Sequence, residues 1–175
     1  MKYISIFLTL FFISYYNLLS AEQNKTIPNI DIKLITGKTV RINSILKDGP
    51  VLINFWATWC APCKKEMRYL DRFQKKYENF TVLAISEDKT RSFSRIKSFI
   101  RSNNYNFIIG LDPSGLLFRQ LGAQGVPTNI LIDSNRTILW QHEGYLPGDE
   151  RIMEFEIKKA IGSDVEMIDE NPIDN

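Results

Sequence analysis

Hydrophobic and polar positions follow two periods along this chain, and the switches between them mark its elements. Residues 31–36 and 39–42, joined through Gly37-Lys38, predict a small β-hairpin with a glycine-containing turn. Residues 43–49 predict a short helix or turn ahead of Pro50, and 51–57 form a continuous apolar run, which predicts a central strand buried on both faces. From 61 to 78 the period lengthens. Met67, Leu70, Phe73 and Tyr77 recur at three- and four-residue steps, and Lys64, Lys65, Arg68, Arg72, Lys75 and Lys76 cover the remaining positions, as in an amphipathic helix with a solvated basic face. Residues 81–86 predict a second parallel strand, 91–102 a helix with Phe93, Ile96, Phe99 and Ile100 on its apolar side, and 107–109 a short strand. Asp112 is placed to N-cap a helix reaching Leu121, with Pro113 in its first position. Residues 122–127 predict a loop, 128–133 and 137–142 a hairpin across Ser134-Asn135-Arg136, and 149–161 a last helix that Gly162 can end.

The order β–α–β–α–β–α, followed by a hairpin and a helix, predicts an α/β domain over residues 31–162. Its central mixed sheet is flanked by helices and carries an N-terminal hairpin extension. Residues 22–30 read as a polar linker. Ahead of them, Lys2 is followed by an uncharged stretch from Tyr3 to Ala21, rich in Ile, Leu, Phe and Tyr, that closes on Leu19-Ser20-Ala21. A basic start, an apolar middle and a small-residue exit describe an export signal cleaved after Ala21. The same residues 3–21 are long enough to stay as a membrane anchor, and would then be the chain's only membrane contact. No cysteine stands near that exit, which excludes a lipoprotein anchor. Either way the domain is expected outside the cytoplasm, in the periplasm or on the outer face of the membrane. Residues 163–175 carry Asp164, Glu166, Asp169, Glu170 and Asp174 with little apolar content and read as an acidic disordered tail.

Composition adds little to this picture. Hydrophobic residues make up 44% of the 175 and support a sizeable core. A net charge of +2, with no basic stripe interleaved with aromatics, gives no reason to expect nucleic acid as a partner.

The chemistry is concentrated in Trp59-Cys60-Ala61-Pro62-Cys63, which holds the only two cysteines of the chain. They stand where a buried strand feeds a helix. Residues three apart on a helix share a face, so the two sulfurs can close a short ring. The first thiol also lies at the helix N-terminus, where unpaired N–H groups and the helix dipole favour a thiolate. Cys60 is therefore the expected nucleophile, and the more buried Cys63 the resolving thiol. Pro62 suits a helix start, where its missing N–H does no harm. A zinc site would need further ligands, and the only histidine is His142, read as structural or surface. A soft-metal site of two thiolates, for Cu(I), stays open. No bound metal or organic cofactor is expected beyond the redox-active disulfide itself.

The segment Val51-Leu52-Ile53-Asn54-Phe55-Trp56-Ala57-Thr58-Trp59-Cys60-Ala61-Pro62-Cys63-Lys64-Lys65-Glu66-Met67 resembles the active-site segment of thioredoxin-like proteins, and more narrowly of exported TlpA/ResA-type thiol–disulfide oxidoreductases. Gly125-Val126-Pro127-Thr128 is similar to the cis-proline loop of that family, and the order of elements matches over roughly residues 28–161. The resemblance implies a thioredoxin fold, with Pro127 cis and beside the disulfide. It leaves the Val126 backbone open to an extended substrate peptide, with Pro127 and Thr128 part of the same substrate-binding loop. It implies that Glu66, one turn beyond Cys63, raises the thiol pKa values and takes the Cys63 proton. Asn54 stands where cytosolic thioredoxins carry a buried aspartate, which shifts acid–base work toward Glu66. Trp59 is expected to shield the sulfurs and offer substrates an apolar platform, Pro62 is expected to meet the substrate beside it, and Trp56 is expected in the core. The implied activity is reduction of protein disulfides by the Cys60/Cys63 dithiol, recycled by a membrane electron donor. Apocytochrome c maturation or copper-site assembly in a respiratory oxidase is the implied context. A disulfide-donating oxidant would use the same motif; a peroxidase of the related peroxiredoxin type would rest on an isolated cysteine instead.

Overall fold

The computed structural model describes residues 25–162; the expected export segment 1–21 and acidic tail 163–175 lie outside the described residues. The chain runs β1 (Asp31–Leu34), β2 (Thr39–Arg41), α1 (Ile42–Ile45), a 3₁₀ turn (Leu46–Asp48), β3 (Val51–Trp56), α2 (Ala61–Lys76), β4 (Thr81–Ser86) and a second 3₁₀ turn (Thr90–Ser92). It continues through α3 (Phe93–Ser102), β5 (Ile108–Leu111), α4 (Leu116–Gln120), β6 (Thr128–Ile132), β7 (Ile138–Glu143) and α5 (Asp149–Ala160). The seven strands form one sheet in the order β2-β1-β5-β4-β3-β6-β7. β3, β4 and β5 are parallel, while β6 runs antiparallel to β3, β7 to β6 and β1 to β5. The sheet is therefore mixed and carries the expected N-terminal hairpin.

Period-two alternation sorts β3 between two cores. Leu52 and Trp56 face a cluster built with Met67, Leu70 and Phe73 of α2, Ile96 of α3, and Met153 and Ile157 of α5. Val51, Ile53 and Phe55 face the opposite cluster, with Ile42 and Ile45 of α1, Leu121, Ile130 and Ile132. All six β3 residues are buried, as a central strand covered on both faces requires. On β5 the packing leaves no room for a side chain at Gly110: a Cβ there would stand 2.9 Å from the Ile32 side chain and 3.1 Å from that of Ile85.

Three expectations are corrected. The helix expected from Asp112 begins only at Leu116, because Pro113 and Ser114 form a turn and Gly115 is the N-cap residue. Asp112 still caps it from a distance, accepting hydrogen bonds from the N–H groups of Leu116 and Phe118 at 2.9 Å each. The strand expected at 107–109 lies at Ile108–Leu111, extended by pairing with β4 on one side and β1 on the other. The segment read as linker packs onto the body from Lys25 onward. Thr26 bridges to Thr137, the Ile27 N–H donates to the Arg136 carbonyl, and Ile27 and Ile30 are buried in the second core. Among the described residues no helix is long and apolar enough to cross a membrane.

Candidate active site

Cys60 and Cys63 form a disulfide across the first turn of α2, with their Cα atoms 5.3 Å apart. The local sequence explains the geometry. β3 ends at Trp56, the Cys60 N–H donates to the Ala57 carbonyl at 3.1 Å, and the chain turns so that Cys60 becomes the N-cap residue. Its sulfur accepts the Cys63 N–H at 3.1 Å, and Pro62 lies in the first turn, where it interrupts no helix bond. No acidic residue stands in that first turn, and the helix dipole favours negative charge at the Cys60 sulfur. Cys60 is 4% exposed and Cys63 fully buried, an asymmetry that presents one sulfur and hides the other.

The opposite wall is the loop before β6. The Val126–Pro127 peptide bond is cis, and the Val126 carbonyl oxygen lies 3.6 Å from the Cys60 sulfur. The Pro127 carbonyl accepts the Gly144 N–H at 2.7 Å, and Gln124 donates its N–H to the Glu143 carboxylate at 3.0 Å, so β7 braces the loop from behind. Of the residues expected to meet a substrate, Trp59 (66% exposed) and Pro62 lie at the surface and Val126 is half-buried. Pro127 is buried. Thr128 is a correction: its side chain is fully buried, with its hydroxyl donating to the Gly125 carbonyl at 2.5 Å, so it shapes the loop and offers no contact surface.

Behind Cys63, Glu66 is fully buried. Its two carboxyl oxygens accept hydrogen bonds from Asn54 Nδ2 at 2.9 Å and Asn129 Nδ2 at 2.6 Å. Asn54 and Asn129 are paired cross-strand neighbours on β3 and β6, and Asn54 Nδ2 also donates to Asn129 Oδ1 at 2.9 Å. The same alternation that sends Leu52 and Trp56 toward α2 sends Asn54 there, so the two amides meet Glu66 between sheet and helix. Burial pushes the Glu66 carboxyl up to about 7, the two amides pull it back, and the nearby Asp149 adds a small upward push. Asn54, read in the sequence only as a group that cannot titrate, is thus a ligand of the titrating one. Asn129 was not anticipated; its signal was a lone amide in an otherwise apolar strand. His142 is Asn129's partner on β7, stacked on Trp140 and bonded to Asp149 at 3.2 Å, which suits its reading as structural.

A second buried carboxylate, also unanticipated, lies under the turn before Cys60. Asp88 accepts the Thr58 N–H and the Thr58 hydroxyl at 2.7 Å each and the Ser86 hydroxyl at 2.9 Å. It ties the β3–α2 turn to the end of β4. Trp56 is fully buried, as expected. Among the described residues no three His, Cys, Asp or Glu side chains converge as a metal-binding group.

Known proteins resemble this chain in sequence and fold. The AhpC/TSA family model matches residues 24–141. The thiol-disulfide oxidoreductase ResA of Bacillus thuringiensis subsp. konkukian (strain 97-27) is 30% identical over 123 residues, 70% of each chain. The thiol:disulfide interchange protein DsbE of Escherichia coli (strain K12) is 31% identical over 144 residues, 81% of this chain and 75% of that one. A crystal structure of a Chlorobium tepidum protein, assigned as a thiol:disulfide interchange protein DsbE, superposes with a TM-score of 0.73 at 31% identity. It covers 82% of this chain and all of its own. The chain belongs to the AhpC/TSA family of thioredoxin-like proteins, as a thiol–disulfide oxidoreductase of the ResA/DsbE kind whose redox centre is the Cys60–Cys63 disulfide.

Proposed function

We propose that this oxidoreductase is an exported reductant of protein disulfides, working through Cys60, Cys63 and Glu66. The observation that carries the direction of electron flow is the Glu66 carboxyl buried one turn behind Cys63. A carboxylate there opposes the helix dipole and disfavours thiolates on the turn ahead of it. A dithiol whose thiolates are not stabilised gives up its electrons readily, the reverse of a strong oxidant, whose reduced form is stabilised.

The reaction balances in two steps. Cys60, as thiolate, attacks one sulfur of the substrate disulfide; that bond breaks and a mixed disulfide forms while one substrate thiolate leaves. The Cys63 thiol then passes its proton to Glu66 and attacks the Cys60 sulfur. The second substrate thiolate leaves and takes up a proton, and the Cys60–Cys63 disulfide remains. Two electrons have moved to the substrate, and a membrane electron donor must return them. A carboxyl poised near neutrality suits that proton exchange. Trp59, Pro62 and the Val126 backbone form the surface on which the substrate chain is read, as an extended segment beside the loop. The apolar stretch 3–21 supports placement outside the cytoplasm, and similarity to proteins named ResA and DsbE supports cytochrome c maturation or oxidase copper-site assembly as the context.

A redox titration of residues 22–175 against glutathione or dithiothreitol tests the direction. A reductant gives a potential near that of thioredoxin, about −270 mV; a value near that of DsbA, about −120 mV, would make the protein a disulfide donor instead. Cys60→Ser should abolish reduction of a model disulfide, and Cys63→Ser should accumulate the mixed disulfide with substrate. Full activity in Cys60→Ser would overturn the assignment of the nucleophile.

A further inference from the structure

We propose that the cleft between Trp59 and the β4–α3 connection is a docking site for a carboxylate-bearing segment of the polypeptide whose disulfide Cys60 attacks. The proposal deepens the reductase reading and rests on it. The cleft has a volume of about 620 Å³ and is lined by Trp59, Lys89, Arg91, Ser92 and Arg95, with Glu87 and Asp88 completing the wall.

Position comes first. β3 lies between the antiparallel β6 and the parallel β4, so the loop entering β6 and the connection leaving β4 flank Cys60 on opposite sides. Val126 comes from the β6 side and the 87–92 connection from the β4 side. A substrate strand running from the Val126 backbone across Cys60 passes over Trp59, whose exposed ring borders both the redox turn and the cleft. Residues flanking the substrate's cysteine on that side reach Arg91 and Arg95.

Charge comes second. Lys89, Arg91 and Arg95 are all exposed, and among the described residues none of the three has a carboxylate within 4 Å. The two acids of the lining cancel the three cations only in part. Asp88, 2% exposed, turns both oxygens inward onto Thr58 and Ser86, so its carboxylate is recessed behind the wall. Glu87 is half-buried and pushed up to about 8 by burial and by the neighbouring Asp112, so most of it carries no charge at neutral pH. Ser92, the N-cap residue of α3, makes no side-chain cap bond, and the positive end of the α3 dipole adds to the field of the three cations. Arginines present planar forks that take carboxylates in pairs of hydrogen bonds, and the indole of Trp59 gives the intervening chain an apolar surface. The chemistry recognised is therefore an Asp- or Glu-containing stretch next to a cysteine.

The test uses two short peptides, each closed by one disulfide, that carry either Glu or Gln beside the cysteines. A cysteine-free Glu peptide measures docking apart from electron transfer. The variant is the triple substitution Lys89→Gln, Arg91→Gln and Arg95→Gln, which touches only exposed side chains. At low ionic strength the reduced wild type should show kcat/KM about tenfold higher for the Glu peptide. That preference should shrink with added salt and vanish in the triple variant, while the Gln peptide is reduced at an unchanged rate. The cysteine-free Glu peptide should bind the wild type more tightly than the variant. Equal rates for both peptides in the wild type, with equal binding to both proteins, would overturn the docking site and leave the reductase reading standing. Charge-dependent binding without reduction of either peptide would support the docking site and overturn the reductase reading.

Discussion

Two buried carboxyl groups flank the disulfide, and they are held in different ways. Asp88 sits under the turn that precedes Cys60 and grips the main chain: its partners are the Thr58 N–H and two hydroxyls, all within 2.9 Å. Glu66 sits behind Cys63 and touches no main-chain donor; its partners are the side-chain amides of Asn54 and Asn129. A carboxylate that accepts a backbone N–H is part of the scaffold, since losing it strands a buried donor whose position the fold dictates. A carboxyl held by two amides in a dry pocket loses charge at modest cost, and burial has moved Glu66 to about 7. Two carboxyl groups buried beside one redox centre thus differ in what holds them.

The difference can be broken first at Asp88. Asp88→Ala leaves the Thr58 N–H and two hydroxyls without an acceptor and should lower unfolding stability by about 3–5 kcal/mol, read by urea denaturation of the oxidised protein. Asp88→Asn, which keeps one acceptor oxygen, should lose less. A variant as stable as the wild type would mean that the turn holds without its clamp.

Glu66→Gln sharpens the comparison from the other side. The carboxyl is raised from 4.5 to about 7, so the native state binds its proton more tightly than the unfolded chain does. Its stabilising effect is complete below pH 4.5, declines as pH rises toward 7, and is gone above that. At about 1.4 kcal/mol per unit, the decline is about 3 kcal/mol. The difference between wild-type and Glu66→Gln stability, followed across that range in the oxidised protein, should carry this slope. Glu87, raised in the same direction, contributes equally to both proteins and drops out. In the reduced protein the same substitution should lower both thiol titrations. Parallel stability curves and unmoved thiols would remove Glu66 from the acid–base chemistry.

The smallest effect is expected at Thr128. Thr128→Val removes the hydroxyl bond to the Gly125 carbonyl and should cost about 1 kcal/mol, seen as a drop of a few degrees in Tm. The Glu66-linked pH slope should stay intact, because Thr128 braces the loop and touches neither carboxyl.

Much of this was legible in the chain. The unbroken apolar run ahead of Cys60 marked the central strand, and the Cys60–Cys63 spacing marked the redox pair and its place on a helix start. What misled was local chemistry that a distant contact outweighed. Asp112 and Pro113 spell a helix start, yet the helix waits until Leu116 while Asp112 reaches forward to its N–H groups. Lys25 to Ile30 is polar enough to read as linker, yet Ile27 and Ile30 are drawn into the core under a strand more than a hundred residues away. Thr128 looked available beside the cis-proline loop because nothing local reveals which way a strand's first side chain points.

The sequence by itself determined the fold class and the redox pair, because hydrophobic period and residue spacing act over a few residues. Only the tertiary structure decided that Glu66 is sealed between α2 and the sheet, that Asn54 and Asn129 converge on it from two strands, and that Asp88 holds the turn before Cys60. Each of those depends on strand register and on burial, which are set when distant segments pack together.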